Sequence, residues 1–194
     1  MQKPAPVDLH PLLRDRWSPR AFSTQPVDEP VLRRLLEAAR WAPSCFNEQP
    51  WRLLVATHRE PDAHRALLEA LMEGNRVWAH RAPVLILTFA RQTFSHNDAP
   101  NPHAWHDVGL AMAQLTAQAS AEGLVVHQMA GIRRDHIVET FAIPEPYVPV
   151  TGLAVGHPGD AADLPEPLRE RELGPRARRP LSELAFTGAW GAAR

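Results

Sequence analysis

Apolar positions along this chain repeat at two spacings, and the changes from one to the other mark out its elements. In "VDEPVLRRLLEAARWA", Val31, Leu32, Leu35, Leu36 and Ala39 recur at three- and four-residue intervals, the repeat of one helix face. Asp28, Glu29 and Pro30 stand where acidic residues and proline commonly open a helix. A short first helix is expected in "VDLHPLLRD" despite Pro11, and further helices in "PDAHRALLEALMEG" and "RRDHIVETFA". Strands are expected in "WRLLVATH", "APVLILTFA", "LVVHQMAG" and "VPVTGLAVGHP", the second and fourth apolar enough to be buried. "AWHDVGLAMAQLTAQASAEG" is alanine-rich and apolar on more than one face, which suits a helix at the centre of a fold or in a subunit contact. Strands alternate with helices without a clean repeating order, so the expected class is α+β.

Polar, proline-rich stretches separate these elements. "TFSHNDAPNPHAW" reads as a mobile loop, and "WAPSCFNEQPW" as the loop leaving the helix that ends near Ala42, broken at Pro43. From Gly159 onward the chain is polar, proline-rich and basic in its middle, with no apolar run to build a core of its own. The expected organisation is therefore one domain over residues 1–194, with 159–194 as an extension lying over the domain or a partner.

Composition narrows the functional classes. Apolar residues make up 44% of the chain, enough for a core, and 21 Lys+Arg against 22 Asp+Glu leave no basic field for nucleic acid or anionic membrane. The single cysteine excludes an intrachain disulfide and suits a reducing compartment. The start of the sequence has no apolar leader-like run, and the longest apolar stretch, 82–90, falls far short of the ~20 residues that span a bilayer. A cytoplasmic protein is expected. Neither a GxGxxG nor a Walker sequence occurs.

Four constellations could carry chemistry. "RDRWSPRAF" sets Arg16, Ser18 and Arg20 at alternate positions, so an extended segment points all three the same way, toward a phosphate or polyol. A solvated turn is the plainer reading of that motif alone. "GPRARRPL" adds Arg176, Arg178 and Arg179, either solvated surface or the second half of an anion site. "NPHAWHDVG" holds His103, His106 and Asp107, with His96 upstream; metal ligation is one reading, and a structural role at a helix start is the better one. Cys45 has neither a catalytic signature around it nor an evident base, so a loop cysteine without catalytic function is expected.

Five segments in order, "RWSPRAF", "AARWAPSCFNEQPW", "EGNRVWAHRAPVLIL", "GLVVHQMAGI" and "RARRPLSELAF", resemble the FMN-dependent nitroreductase family over nearly the whole chain. The first two are similar to its RxSxRxF and A-P-S-x-x-N-x-Q-P-W signatures. The resemblance implies an α+β sandwich, a central mixed or antiparallel sheet flanked by helices, forming an intertwined homodimer with two FMN sites at the interface. By position it implies that Arg16 and Ser18 hold the phosphate and ribityl end of FMN, and that Arg20 and Asn75 approach the pyrimidine edge. Ser44, Asn47 and Gln49, with Cys45 among them, would reach the flavin of the other subunit. Met129, Ala130 and Gly131 would lie beside the ring, with a backbone N–H near Gly131 directed at N5. Arg176 and Arg178 would complete the phosphate clamp, with Arg179 as the substitute if the tail register differs by one residue. Trp41, Phe46, Trp78 and Trp105 are candidates for the cleft lining, with core or subunit-contact roles as alternatives.

The implied chemistry suits these residue types. A reduced flavin is anionic near N1, so a cation at Arg20 favours the reduced state, and no side chain need act as acid, base or nucleophile. The expected function is reduction of nitroaromatics, quinones or related acceptors by NAD(P)H in a ping-pong cycle. A flavin carrier or sensor without turnover is the first alternative. A metal hydrolase built on His103, His106 and Asp107 is a distant second.

Overall fold

The computed structural model describes residues 8–193. Val7, where the first helix was expected to start, and the residues before it lie outside that range, as does Arg194. All four expected strands form: β1 (Trp51–Thr57), β2 (Val84–Arg91), β3 (Val125–Met129) and β4 (Tyr147–Gly156). Their spatial order is β1-β2-β4-β3 and every pairing is antiparallel, so the sheet is antiparallel rather than mixed. β2 and β4 occupy the middle, which explains their nearly unbroken apolar sequences.

Among the described residues seven α-helices surround the sheet: α1 (Pro11–Arg14), α2 (Glu29–Arg40), α3 (Pro61–Glu69), α4 (Glu73–Ala79), α5 (Ala104–Ala121), α6 (Arg134–Thr140) and α7 (Glu166–Leu173). One apolar layer joins α2 and α5 to Val84, Ile86, Val126, Leu153 and Val155 of the sheet. The other joins Leu67, Leu71, Trp78 and Ile137 to Leu85, Leu87, Phe89 and Ala154 on the opposite face. Alternate residues of β2 therefore feed two cores, as the two-residue repeat of a strand requires. In α5 the buried positions, among them Val108, Ala111, Met112, Leu115 and Ala119, form a single stripe, so its apolar content is not spent evenly around the helix.

Two local departures from the sequence expectation have clear causes. The helix expected over 61–74 is two helices, because the backbone between them bonds elsewhere. Met72 N–H donates to Gly131 O (2.9 Å), and Ala70 O accepts from Arg133 N–H (2.8 Å), in a short bridge between Leu71 and Ile132. Leu71 is buried there, so tertiary pairing overrides local propensity. The second departure is a register shift between β2 and β4 at Leu87/Phe89. The buried Thr88 hydroxyl serves the gap, donating to Thr151 O and accepting from Thr151 N–H, both at 3.1 Å. This irregularity also accommodates Pro149 within a central strand.

The segment before α2 is tied to the far end of β4. Phe22 bridges Pro158, Ser23 N–H donates to His157 O (3.0 Å) and Gly159 N–H donates to Ala21 O (2.9 Å). Phe22 is fully buried and stacks on Trp78 with the rings 11° from parallel. With His127 of β3 meeting Pro19 O, residues 16–21 are consequently fixed beside β3, one of the two edge strands of the sheet.

Candidate functional site

The alternating Arg16, Ser18 and Arg20 lie in the extended segment between α1 and Phe22. Arg16 Nη1 donates to Ser18 Oγ (3.3 Å), so the first two groups meet as expected. Arg16 and Ser18 line a cleft of ≈ 390 Å³ with Leu12, Ala113, Thr116, Val126 and Gln128. Arg176 folds back onto the same segment, donating through Nη1 to Arg14 O (3.0 Å) and through Nη2 to Arg16 O (2.8 Å). Arg178 Nη1 turns to Ala177 O (2.7 Å), and Arg179 stands 4.0 Å from Glu183.

Among the described residues, Arg16 has no carboxylate within ion-pair distance. Burial, and then the positive charges of Arg176 and Arg178, hold its guanidinium below the ordinary arginine range. A half-buried cation under repulsion from two more is an arrangement that an anion would relieve. The residue types therefore fit a phosphate group without rearrangement of their chemistry.

A second group forms at the end of β3. Met129 is buried, and Ala130 and Gly131 follow in the turn toward α6. Asn75, from the first turn of α4, donates through Nδ2 to Gly131 O (3.0 Å). A Cβ at position 131 would sit 2.7 Å from that Nδ2, so glycine is what allows the side chain of Asn75 to lie against this turn. The two groups are linked by His127 of β3, whose Nδ1 lies 2.9 Å from Pro19 O. Burial pulls the His127 pKa below its ordinary value, with the Arg20 charge adding to the shift, while the bond to Pro19 opposes it.

Ser44, Cys45, Asn47 and Gln49 form a third group in the loop after α2. The loop holds itself: Ser44 Oγ accepts from Gln49 N–H (2.9 Å), and Gln49 Nε2 donates to Asn47 O (3.0 Å). Phe46, Asn47 and Gln49 all adopt left-handed backbone angles, with φ of 53°, 55° and 50°. Such positions in non-glycine residues are uncommon and concentrate where a loop must present particular groups. No hydrogen bond or ion pair joins this loop to Arg16–Arg20 or to Asn75–Gly131 within the described residues of one chain.

Asp107 supplies the anchor for that loop, its Oδ2 accepting from Cys45 N–H (3.0 Å). It is buried at the start of α5 and lines a pocket with Ser44, Cys45, His103 and His106, yet among the described residues no three histidine, cysteine or acidic side chains are placed to hold a metal ion. Glu48 provides a second anchor, accepting from Ser95 N–H (2.8 Å) and Ser95 Oγ (3.1 Å). The expected loop over 93–105 thus contains an ordered turn, closed by a bridge between Thr93 and Pro100. Phe46, Phe94 and His96 meet edge to face or tilted at its tip, with centroids 5.5–6.4 Å apart.

Of the aromatic candidates for the cleft, Trp78 takes the alternative core role: it is 1% exposed and packs between Phe22 and His127. Trp41, Phe46 and Trp105 are exposed. Sequence reasoning missed Glu172, whose buried carboxylate accepts from the N–H groups of Arg20 and Ala21. Nothing in "LRERELG" separates it from its exposed charged neighbours.

Comparison with known proteins decides the lineage. The model of the nitroreductase family matches residues 13–157, which include the RxSxR segment, the loop after α2 and the turn after β3. The chain belongs to the nitroreductase family. A crystal structure described as an oxidoreductase containing FMN superposes on this nitroreductase-family chain with a TM-score of 0.90 and 39% identity, covering 97% of this chain and 96% of the other. A 15.4 kDa protein of Mycolicibacterium smegmatis is 37% identical over 124 residues, 64% of this chain and 82% of the relative. The FMN reductase [NAD(P)H] of Bacillus subtilis is 26% identical over 165 residues, 76% of this chain and 65% of the relative. The family match stops before α7, so Glu172 and Arg176 lie in a part of the chain beyond it. Among the described residues no helix is long and apolar enough to cross a membrane.

Proposed function

We propose that this chain is an FMN-dependent oxidoreductase that takes electrons from NAD(P)H and delivers them to nitroaromatic, quinone or related acceptors in a ping-pong cycle. The observation that carries the reading is Arg16: half-buried at a cleft, without a carboxylate partner among the described residues, and pressed by Arg176 and Arg178 in a nitroreductase-family chain. The FMN named for the similar crystal structure and for the Bacillus relative supports the choice of anion. When bound, FMN supplies two-electron transfer between a nicotinamide donor and a second substrate.

The chain's own residues supply binding and orientation. Arg16 and Ser18 hold the phosphate end, with Arg176 and Arg178 adding positive charge. Arg20 offers a cation and Asn75 a polar contact at the pyrimidine edge. Met129, Ala130 and Gly131 flank the ring, and the Gly131 N–H is held in place by the bonds its carbonyl accepts from Met72 N–H and Asn75 Nδ2. Ser44, Asn47 and Gln49 serve the site of a second copy, with Cys45 placed among them for its backbone rather than its thiol. Exposed Leu13, Trp41, Phe46, Leu181, Leu184 and Trp190 supply apolar surface for such a homodimer. Residues 1–194 then act as one FMN-binding unit, with 159–194 as its extension, working in the cytoplasm.

The test is flavin occupancy in the double variant Arg16→Ala/Arg178→Ala. The purified double variant is expected to retain about a tenth or less of the wild-type flavin, since two charge-assisted contacts are lost. Unchanged occupancy would refute the phosphate assignment. A wild-type protein that binds FMN but oxidises no NAD(P)H with any acceptor would select the carrier or sensor reading instead.

A further inference from the structure

Residues 16–21 carry the cationic groups yet belong to no strand, so something other than a ladder must keep them extended. His127 of β3 meets Pro19 O (2.9 Å) and Gly159 N–H donates to Ala21 O (2.9 Å), and the remaining bonds to this backbone come from one short stretch of the tail. At one end, Arg176 reaches Arg14 O and Arg16 O at 3.0 and 2.8 Å. At the other, Glu172 accepts Arg20 N–H through both carboxylate oxygens, each at 3.0 Å, and Ala21 N–H through Oε1 at 3.2 Å. Glu172 is 8% exposed and is the buried residue of α7, in which Leu168 packs half-buried against the core and the other residues are exposed. It has no cation within ion-pair distance among the described residues, so these backbone N–H groups are what stabilise its buried charge.

We infer that Glu172 is a positioning residue for the anion site: with Arg176 it replaces a neighbouring strand and sets the spacing of Arg16, Ser18 and Arg20. Donors at 20 and 21 and acceptors at 14 and 16 are gripped by opposite charges four residues apart in the tail. The intervening residues are thereby drawn out between two fixed points, and the Arg16 and Ser18 side chains meet at one cleft. The carboxylate engages the Arg20 backbone and leaves the Arg20 guanidinium available to a ligand. The tail is thus part of the cofactor site, although the family match ends at residue 157.

This inference rests on the FMN reading, and its test separates the two. FMN and riboflavin, which lacks the phosphate, are titrated into the full-length protein and into Glu172→Gln, with Glu170→Gln on the exposed side of α7 as control. Wild type and Glu170→Gln are expected to prefer FMN strongly. Glu172→Gln is expected to lose about tenfold in FMN affinity with riboflavin affinity little changed, so the preference collapses. A purely structural role would weaken both flavins by the same factor; that result, or unaltered FMN affinity, would overturn the inference. If Glu172→Gln does not fold, the same ratio is read in Glu172→Asp, where a smaller loss confined to FMN supports positioning and no selective loss refutes it. A wild-type protein that binds neither flavin would overturn the FMN reading itself.

Discussion

An alanine at position 131 probes the contact between α4 and the turn after β3. Its Cβ would stand 2.7 Å from Asn75 Nδ2 and 3.6 Å from Met72 Cβ. The second distance is ordinary contact, whereas the first is short of it by about 0.7 Å, so Asn75 must retreat. In doing so it gives up the 3.0 Å bond to Gly131 O. One side-chain hydrogen bond to a partly buried carbonyl is worth about 1 kcal/mol, and at this chain length that lowers the melting temperature by about 2–4 °C. Urea denaturation followed by tryptophan fluorescence measures the loss, with m unchanged if only stability has moved. The decisive comparison is a double-mutant cycle with Asn75→Ala. Once Asn75 is shortened, Gly131→Ala should cost less than about 0.3 kcal/mol, because the obstructing atom is gone. An undiminished cost in the Asn75→Ala background would refute the assignment of this glycine to the Asn75 contact.

Acid should destabilise the fold through two histidines. Burial holds His64 and His127 below the ordinary value of 6.5, with the charges of His58 and His80 adding to the effect at the former and Arg20 at the latter. The unfolded chain then binds more protons than the folded one below about pH 6.5; their contribution is full above that value and is lost as pH falls through the lowered folded values. Glu37 and Glu122, brought to about 2 by the hydrogen bonds from Arg40 and Arg34, lose their contributions only in stronger acid. The urea midpoint should fall between pH 7.5 and 5, and fall less in His64→Gln/His127→Gln; a midpoint that rises on acidification would contradict this. Glu48→Ala removes the acceptor of Ser95 N–H and Oγ and releases the turn that carries Phe94 and His96. The KM for aromatic acceptors should rise about three- to tenfold while the rate of reduction by NAD(P)H stays as in wild type. Equal KM values would separate that turn from acceptor binding.

The sheet and most helices were legible because their apolar periodicities differ and each is satisfied by its own core layer. The break between α3 and α4 was not, since Leu67, Leu68 and Leu71 continue the helical repeat and only pairing with Ile132 interrupts it. Cleft and core stay open for Trp78 in the sequence for a related reason: an indole gives no sign of whether a ring such as Phe22 waits to stack on it. In the site, the alternate spacing of Arg16 and Ser18 brings their side chains to one cleft, whereas Arg20 stands at a bend outside its lining. What holds that segment extended was invisible. Glu172 sits in a run of charges with the composition of a solvated helix face, and its burial depends on a meeting between residues 152 positions apart. The left-handed turns at Phe46, Asn47 and Gln49 were equally hidden, as none of them is glycine.

The most direct test of the account is an anaerobic titration of the purified protein with NADH and with NADPH, followed in the visible flavin bands. The account predicts a yellow protein with about one FMN per chain that is bleached by at least one of the two nicotinamides and regains its colour when a quinone or nitroaromatic is added. A protein that takes up no FMN, or a bound flavin that neither nicotinamide reduces, would contradict it.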